Sequence, residues 1–197
     1  MSQLNLGGKF VAKLASLVFT NSAVVNGDTP LAALGKLQAQ IDSLGLTKIG
    51  VQYMQVQDQK ASGTTGGAST ATAMTRTLNT VVTNTITGAS LASNVITLPA
   101  GTYRVHAESM AVADTVASHV TPYLQNTADS VKALIGLRSY TGVGMSVNPS
   151  VRGRFTIAAA KTFIFVNQYS AANVNGLGLA SSFGYAEVYS NIEIWKE

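Results

Sequence analysis

The stretch Ile96-Thr-Leu-Pro-Ala-Gly-Thr-Tyr-Arg-Val-His-Ala-Glu-Ser-Met110 decides the fold class. It reads as a strand, a Pro-Ala-Gly turn and a second strand. In that second strand Tyr103, Val105 and Ala107 share one face and Arg104, His106 and Glu108 the other. This is the pattern of a half-buried antiparallel strand. Similar segments are expected at 50–57, 74–86, 91–98, 119–125, 132–139, 151–158, 161–169 and 184–195. Turn signals separate them at Gly63–Gly67, Pro99–Gly101, Asn148-Pro149 and Asn175-Gly176. Eight or nine short strands so punctuated predict an all-β, jelly-roll-like antiparallel sandwich.

N-terminal to the strands, Asp28 to Gly45 predicts a helix. Asp28 or Thr29 is placed to cap it, Pro30 occupies a first-turn position, and Gly45 is placed to end it. Leu34, Leu37, Ile41 and Leu44 fall at a/d spacing, which reads as a short coiled-coil stem or as a helix packed on its own domain. Before it, Lys9 and the apolar run Phe10 to Phe19 resemble a signal peptide, but Lys13 interrupts the run. An amphipathic anchor or early strand with Val11, Leu14, Leu17 and Val18 on one face suits it better. The expected organisation is an attachment segment over 1–26, a helical stem over 27–46 and a β-sandwich head over 47–197.

Composition narrows the function classes. With 197 residues there is room for one sandwich whose core needs no disulfide, and the chain has no cysteine. Its 13 basic and 9 acidic side chains are scattered, so there is no basic stripe for nucleic acid and no reason to expect a cofactor or metal. No apolar run reaches the roughly 20 residues of a membrane span. Only His106 and His119 offer imidazole. Ser118 beside His119 points to the opposite face of a strand, while Glu108 shares the face of His106 and is a possible base or ligand partner. The expectation is no catalytic and no metal site.

Two segments hold more apolar surface than a monomer needs. Phe163 to Tyr169 is apolar on both faces, with Ile164 and Val166 opposite Phe163, Phe165 and Tyr169. In the last strand Tyr185, Tyr189 and Trp195 share a face with Glu187 and Glu193. Ile164, Val166, Tyr185, Tyr189 and Trp195 are therefore the expected subunit-interface residues. The uncharged span 162–186 carries a Gly/Asn-rich loop at 170–182 between Tyr169 and Phe183, making Tyr169, Asn173, Asn175 and Phe183 the expected receptor contacts. Ten threonines between Ser62 and Ser90, with Arg76 the one charge from 61 to 103, add a hydroxyl-rich surface. Arg152 and Arg154 share a strand face suited to an anionic group, or to pairing with Glu187 or Glu193.

The segment Asn26-Gly-Asp-Thr-Pro-Leu-Ala-Ala-Leu-Gly-Lys-Leu-Gln-Ala-Gln-Ile41 resembles the linker repeats of bacteriophage tail-fibre proteins. Tyr53 to Asp58, Leu98-Pro-Ala-Gly-Thr-Tyr103, Val151-Arg-Gly-Arg-Phe-Thr-Ile157 and Val188 to Lys196 resemble the C-terminal heads of phage fibres, which are similar to the trimeric tumour-necrosis-factor-like jelly roll. The resemblance implies a homotrimeric virion fibre that joins other virion proteins through its N-terminal segment and touches a host-surface glycan or protein. Two alternatives stay open: a capsid decoration or head-fibre protein without adhesion, and a polysaccharide-acting enzyme, although the acidic residues form no obvious pair.

Overall fold

The computed structural model describes residues 23, 25, 27–43 and 52–197, with the backbone alone at 41–43. The chain divides into two units, 1–50 and 51–197. In the first, helix α1 spans Pro30–Ser43. Thr29 is its cap: its hydroxyl accepts the Ala32 N–H at 3.3 Å, while Asp28 receives Lys36 Nζ at 2.8 Å. Leu34 and Leu37 are 63% and 46% exposed. The Ile41 side chain, Leu44, Gly45 and all but two residues of the 1–26 segment lie outside the described residues.

The second unit contains β1 (Gln52–Lys60), β2 (Ala73–Thr75), β3 (Thr80–Asn84), β4 (Ser90–Ala92), β5 (Val95–Leu98), β6 (Gly101–Ser109) and β7 (Ala111–Ala113). After these come β8 (Ser118–Asn126), β9 (Lys132–Ile135), β10 (Ser139–Thr141), β11 (Met145–Val147), β12 (Ser150–Ile157), β13 (Lys161–Tyr169) and β14 (Glu187–Lys196). One sheet has the order β12-β6-β14-β1-β3. The other runs β10-β8-β13-β5-β4, with β2 on β13 and β9 on β8, and β11 pairs β7 separately. Each of these pairings is antiparallel. The core lies between the two large sheets, where Met54, Val56, Tyr103, Val105, Ala107, Ile192 and Ile194 meet Ile96, Leu98, Leu124, Phe163 and Phe165. The result is an antiparallel jelly-roll sandwich.

Four local features depart from the strand pattern expected of the sequence. Residues 91–98 form two strands, because Ser93 and Asn94 both take positive φ (49° and 68°) and close a two-residue hairpin turn. Residues 74–86 also divide. β2 belongs to one sheet and β3 to the other, and the chain crosses between them with Arg76 fully buried. The Pro99–Gly101 turn is a corner between sheets, since β5 and β6 do not pair; the Tyr103 hydroxyl fastens it by donating to the Pro99 carbonyl at 2.6 Å. In β14 the register slips by one residue opposite Asp58/Gln59. Glu187 and Tyr189 therefore turn inward in one half of the strand and Ser190, Ile192 and Ile194 in the other.

Candidate functional site

The inward turn of Glu187 builds the most distinctive surface of the β unit. One carboxylate oxygen accepts the backbone N–H groups of Gly63 (3.2 Å), Ser181 (3.0 Å) and Ser182 (2.8 Å), and the other accepts the Ser181 hydroxyl at 2.9 Å. These donors, the Ser182 N–H foremost, hold the Glu187 carboxyl down to about 2. Around this anchor, Gly184 N–H donates to Ser62 Oγ, the Tyr189 hydroxyl donates to the Thr64 carbonyl, and Lys60 Nζ donates to the Thr65 and Gly66 carbonyls. Gly66 N–H in turn meets the Gly178 carbonyl at 2.9 Å. Two loops that are distant in sequence, 61–67 and 177–186, thus become one platform.

The platform presents two aromatic rings to solvent. Phe183 and Tyr185 are 72% and 64% exposed, with ring centroids 6.1 Å apart. Hydroxyls of the exposed Ser62 and Ser182 lie on the same loops. The intervening Gly184 takes φ 90°, a turn that lets both rings face outward.

Three of the four residues expected to touch a receptor are instead committed to the interior or its rim. Tyr169 is buried, and its hydroxyl accepts from Arg76 Nη1 (3.2 Å) and Asn167 Nδ2 (3.0 Å). Asn173 is a buried hub. Its Oδ1 accepts from Thr115 N, Thr115 Oγ1 and Val116 N, its Nδ2 donates to the Val116 carbonyl, and its N–H reaches Ser69 Oγ. Asn175 is half-buried, with both its nitrogens on Asp114 Oδ2. The 170–178 part of the loop is therefore a strapped structural element, and only Phe183 of the four stands free. A Gly/Asn-rich composition serves close packing as readily as a mobile tip, and no sequence signal separated the two.

Among the expected interface residues the structure also discriminates. Val166 and Tyr189 are already buried within one chain: Val166 faces Tyr123 across β8, and Tyr189 is turned inward by the slip in β14, the physical reason neither is a free patch. Ile164 is half-buried, opposite Gln125. Trp195 is half-buried, with Tyr53 5.3 Å away on one side and the Arg104 guanidinium 5.8 Å from its ring. Tyr53 donates to Glu193 at 2.9 Å; burial, then that carboxylate, pushes its phenol up to about 12. Tyr185 is the one member of the set with a largely open ring.

The groups with catalytic potential are dispersed. His119 packs on Tyr140 at 5.1 Å, and the buried Ser118 hydroxyl donates to the His119 carbonyl, away from the imidazole. His106 lies 3.5 Å from Glu193 and 3.8 Å from Glu108. Arg154 pairs with Glu197 at 2.6 Å, not with Glu187 or Glu193, whose carboxylates are taken up by the platform and by Tyr53. Among the described residues no three His, Cys, Asp or Glu side chains gather as a metal site, and no helix is long and apolar enough to cross a membrane.

No protein-family profile and no curated protein matches the chain. Among solved structures it is similar to murine APRIL at pH 5.0, with 7% identity and a TM-score of 0.50 over 74% of this chain and 98% of that one. The globular domain of zebrafish complement 1qA aligns at 15% identity and a TM-score of 0.47 over 74% of this chain and 96% of that one. Eiger TNF from S. frugiperda aligns at 10% and 0.46 over 75% and 92%. At such identities the APRIL likeness speaks to fold alone: the sandwich is a jelly roll similar to that of APRIL.

Proposed function

We propose that the chain is a non-enzymatic, homotrimeric virion fibre protein of a bacteriophage, whose β-sandwich head binds the bacterial surface through the Phe183–Tyr185 tip. The observation that carries this reading is the tip itself. Two exposed aromatic rings stand on a platform that Glu187 pre-organises, flanked by serine hydroxyls. Rigid rings bind sugar faces or apolar protein pockets with little loss of conformational entropy, and the hydroxyls add directional hydrogen bonds. In this reading residues 1–26 join the protein to other virion proteins, 27–46 form the stem and 47–197 the head. Trimer formation would cover the exposed Leu34 and Leu37 of α1. The fibre assignment rests on the resemblance of the 26–41 segment to phage linker repeats.

The test replaces both rings, Phe183→Ser with Tyr185→Ser, in the full chain on the assembled particle. Adsorption to host cells is expected to fall at least tenfold, while molecular mass and thermal midpoint stay as in the parent, because neither ring packs in the core. Unchanged adsorption would remove the tip from the contact and favour a decorating role on the particle.

A further inference from the structure

On the outward face of the β12-β6-β14-β1-β3 sheet, cationic side chains are aligned by register. Arg154 stands directly opposite Arg104, and Arg104 is opposite Trp195. One row along, Arg152 is opposite His106, and His106 is opposite Glu193. Facing Cβ atoms in such ladders lie about 5 Å apart, and like charges placed opposite each other repel. The Arg104/Arg154 pairing therefore disfavours the protein on its own. Between these side chains is a concavity of about 300 Å³ lined by Arg104, His106, Arg152, Arg154 and Trp195 together with Val105 and Gly153.

The anions at hand do not neutralise it. Glu193 accepts from Tyr53 and faces His106, leaving the arginines. Glu197 takes only Arg154, through an exposed pair in which the arginine side chain is 66% accessible, a type of contact that holds weakly in water. Among the described residues Arg152 meets no carboxylate within ion-pair distance, and the contact found for Arg104 is the Trp195 ring. A second observation points the same way: His106 Nε2, on the wall of this concavity, is buried without a hydrogen-bond partner, the Glu108 carboxylate standing 3.8 Å away, beyond hydrogen-bond reach, a condition rare enough to require a cause.

We propose that this concavity is an oxyanion-binding site for a phosphate or sulfate group, free or carried on a polysaccharide. Guanidinium groups on adjacent strands present forked N–H donors that match a tetrahedral oxyanion, and such charge-assisted bonds are the strong ones. β6, which carries Arg104 and His106, is paired on both sides, by β12 and β14, and the edge strand β12 is paired to it over its whole length, so the donors sit on a hydrogen-bonded frame. Along β14 the site lies eight residues from Glu187, about 25 Å of extended strand, so it is separate from the aromatic tip and does not depend on the tip's role.

Calorimetric titration of the full chain with inorganic phosphate at fixed ionic strength tests the proposal. Saturable binding of one phosphate per chain is expected. Arg104→Gln with Arg152→Gln should weaken it at least tenfold without changing the thermal midpoint by more than a few degrees, whereas Lys132→Gln, a cation on β9 that sits over the Tyr123 ring, should leave it unchanged. A phosphorylated oligosaccharide that binds more tightly than inorganic phosphate, with its dephosphorylated form silent, would assign the anion to a glycan; equal affinities would assign the free ion. Non-saturable binding, or equal weakening in Lys132→Gln, would overturn the site. Loss of binding together with a fall in molecular mass would also overturn it, assigning the arginines to a subunit contact.

Discussion

Replacing Arg76 with methionine should be among the most damaging single changes in the β unit. The guanidinium is fully buried and donates from Nε to Ser190 Oγ (3.1 Å), from Nη1 to Tyr169 Oη (3.2 Å), and from Nη2 to the Leu177 and Tyr189 carbonyls (3.0 Å each). Its own backbone N–H is held by the Phe165 carbonyl of β13, so one residue ties β13 to β14 across the sandwich. Methionine keeps the apolar stem but deletes every donor. The two hydroxyls can rotate to other partners and the Tyr189 carbonyl keeps the Met110 N–H at 2.9 Å, so there the loss is of charge-assisted bonds; the Leu177 carbonyl is orphaned, and a buried acceptor left so costs about 1–3 kcal/mol. Relief of the guanidinium's own desolvation offsets part of this. The net loss comes to about 3 kcal/mol, which for a sandwich of this size lowers the thermal midpoint by roughly 10 °C. Calorimetric unfolding of Arg76→Met beside the exposed control Arg138→Met measures it. A second readout is Asp58, whose carboxyl burial pushes up while Lys60 and Arg76 pull it back; in the variant its pKa should rise further by carbon-detected NMR titration. A midpoint within about 3 °C of the parent, with Asp58 unmoved, would refute the assignment of Arg76 as the link between sheets.

Other perturbations have equally definite outcomes. Because Glu187 titrates below the ordinary glutamate value of 4.5, at about 2, its contribution to folding is full above pH 4.5 and lost as pH falls toward 2; Glu187→Gln should flatten that part of the stability-versus-pH curve in thermal melts and raise amide exchange at 181–184. Gly66→Ala should destabilise by about 1–3 kcal/mol in denaturant unfolding, since a Cβ there overlaps the Leu177 backbone carbonyl. Asn173→Ala, which orphans the Thr115 and Val116 N–H groups, should cost about 2 kcal/mol by the same measurement. Deleting residues 1–26 is expected to leave a soluble, folded head that no longer joins particles; truncated protein found on purified virions would contradict this.

What the sequence made legible was whatever depends on strand periodicity. Tyr103, Val105 and Ala107 are buried, and Phe163, Phe165 and Tyr169 point inward, as alternation requires. What stayed hidden depends on contacts between distant segments. The inward turn of Tyr189 arises from a one-residue slip against Asp58/Gln59, and a slip exchanges faces without altering composition. Asn173 reads as a loop residue until Thr115, Val116 and Ser69 are brought around it from elsewhere in the chain. The same is true of Glu187, whose partners at Gly63 and Ser181 come from two loops. Phe183 and Tyr185 were visible as aromatics, but their shared exposure on one anchored tip was not.

Self-association is the property on which the proposed fibre role depends most directly, because a fibre head of that kind works as three copies. Light scattering on the full chain at micromolar concentration measures this in one experiment. The expected result is a single species with three times the 20.5 kDa mass of the chain; a well-folded species of 20.5 kDa that persists as concentration rises would contradict it.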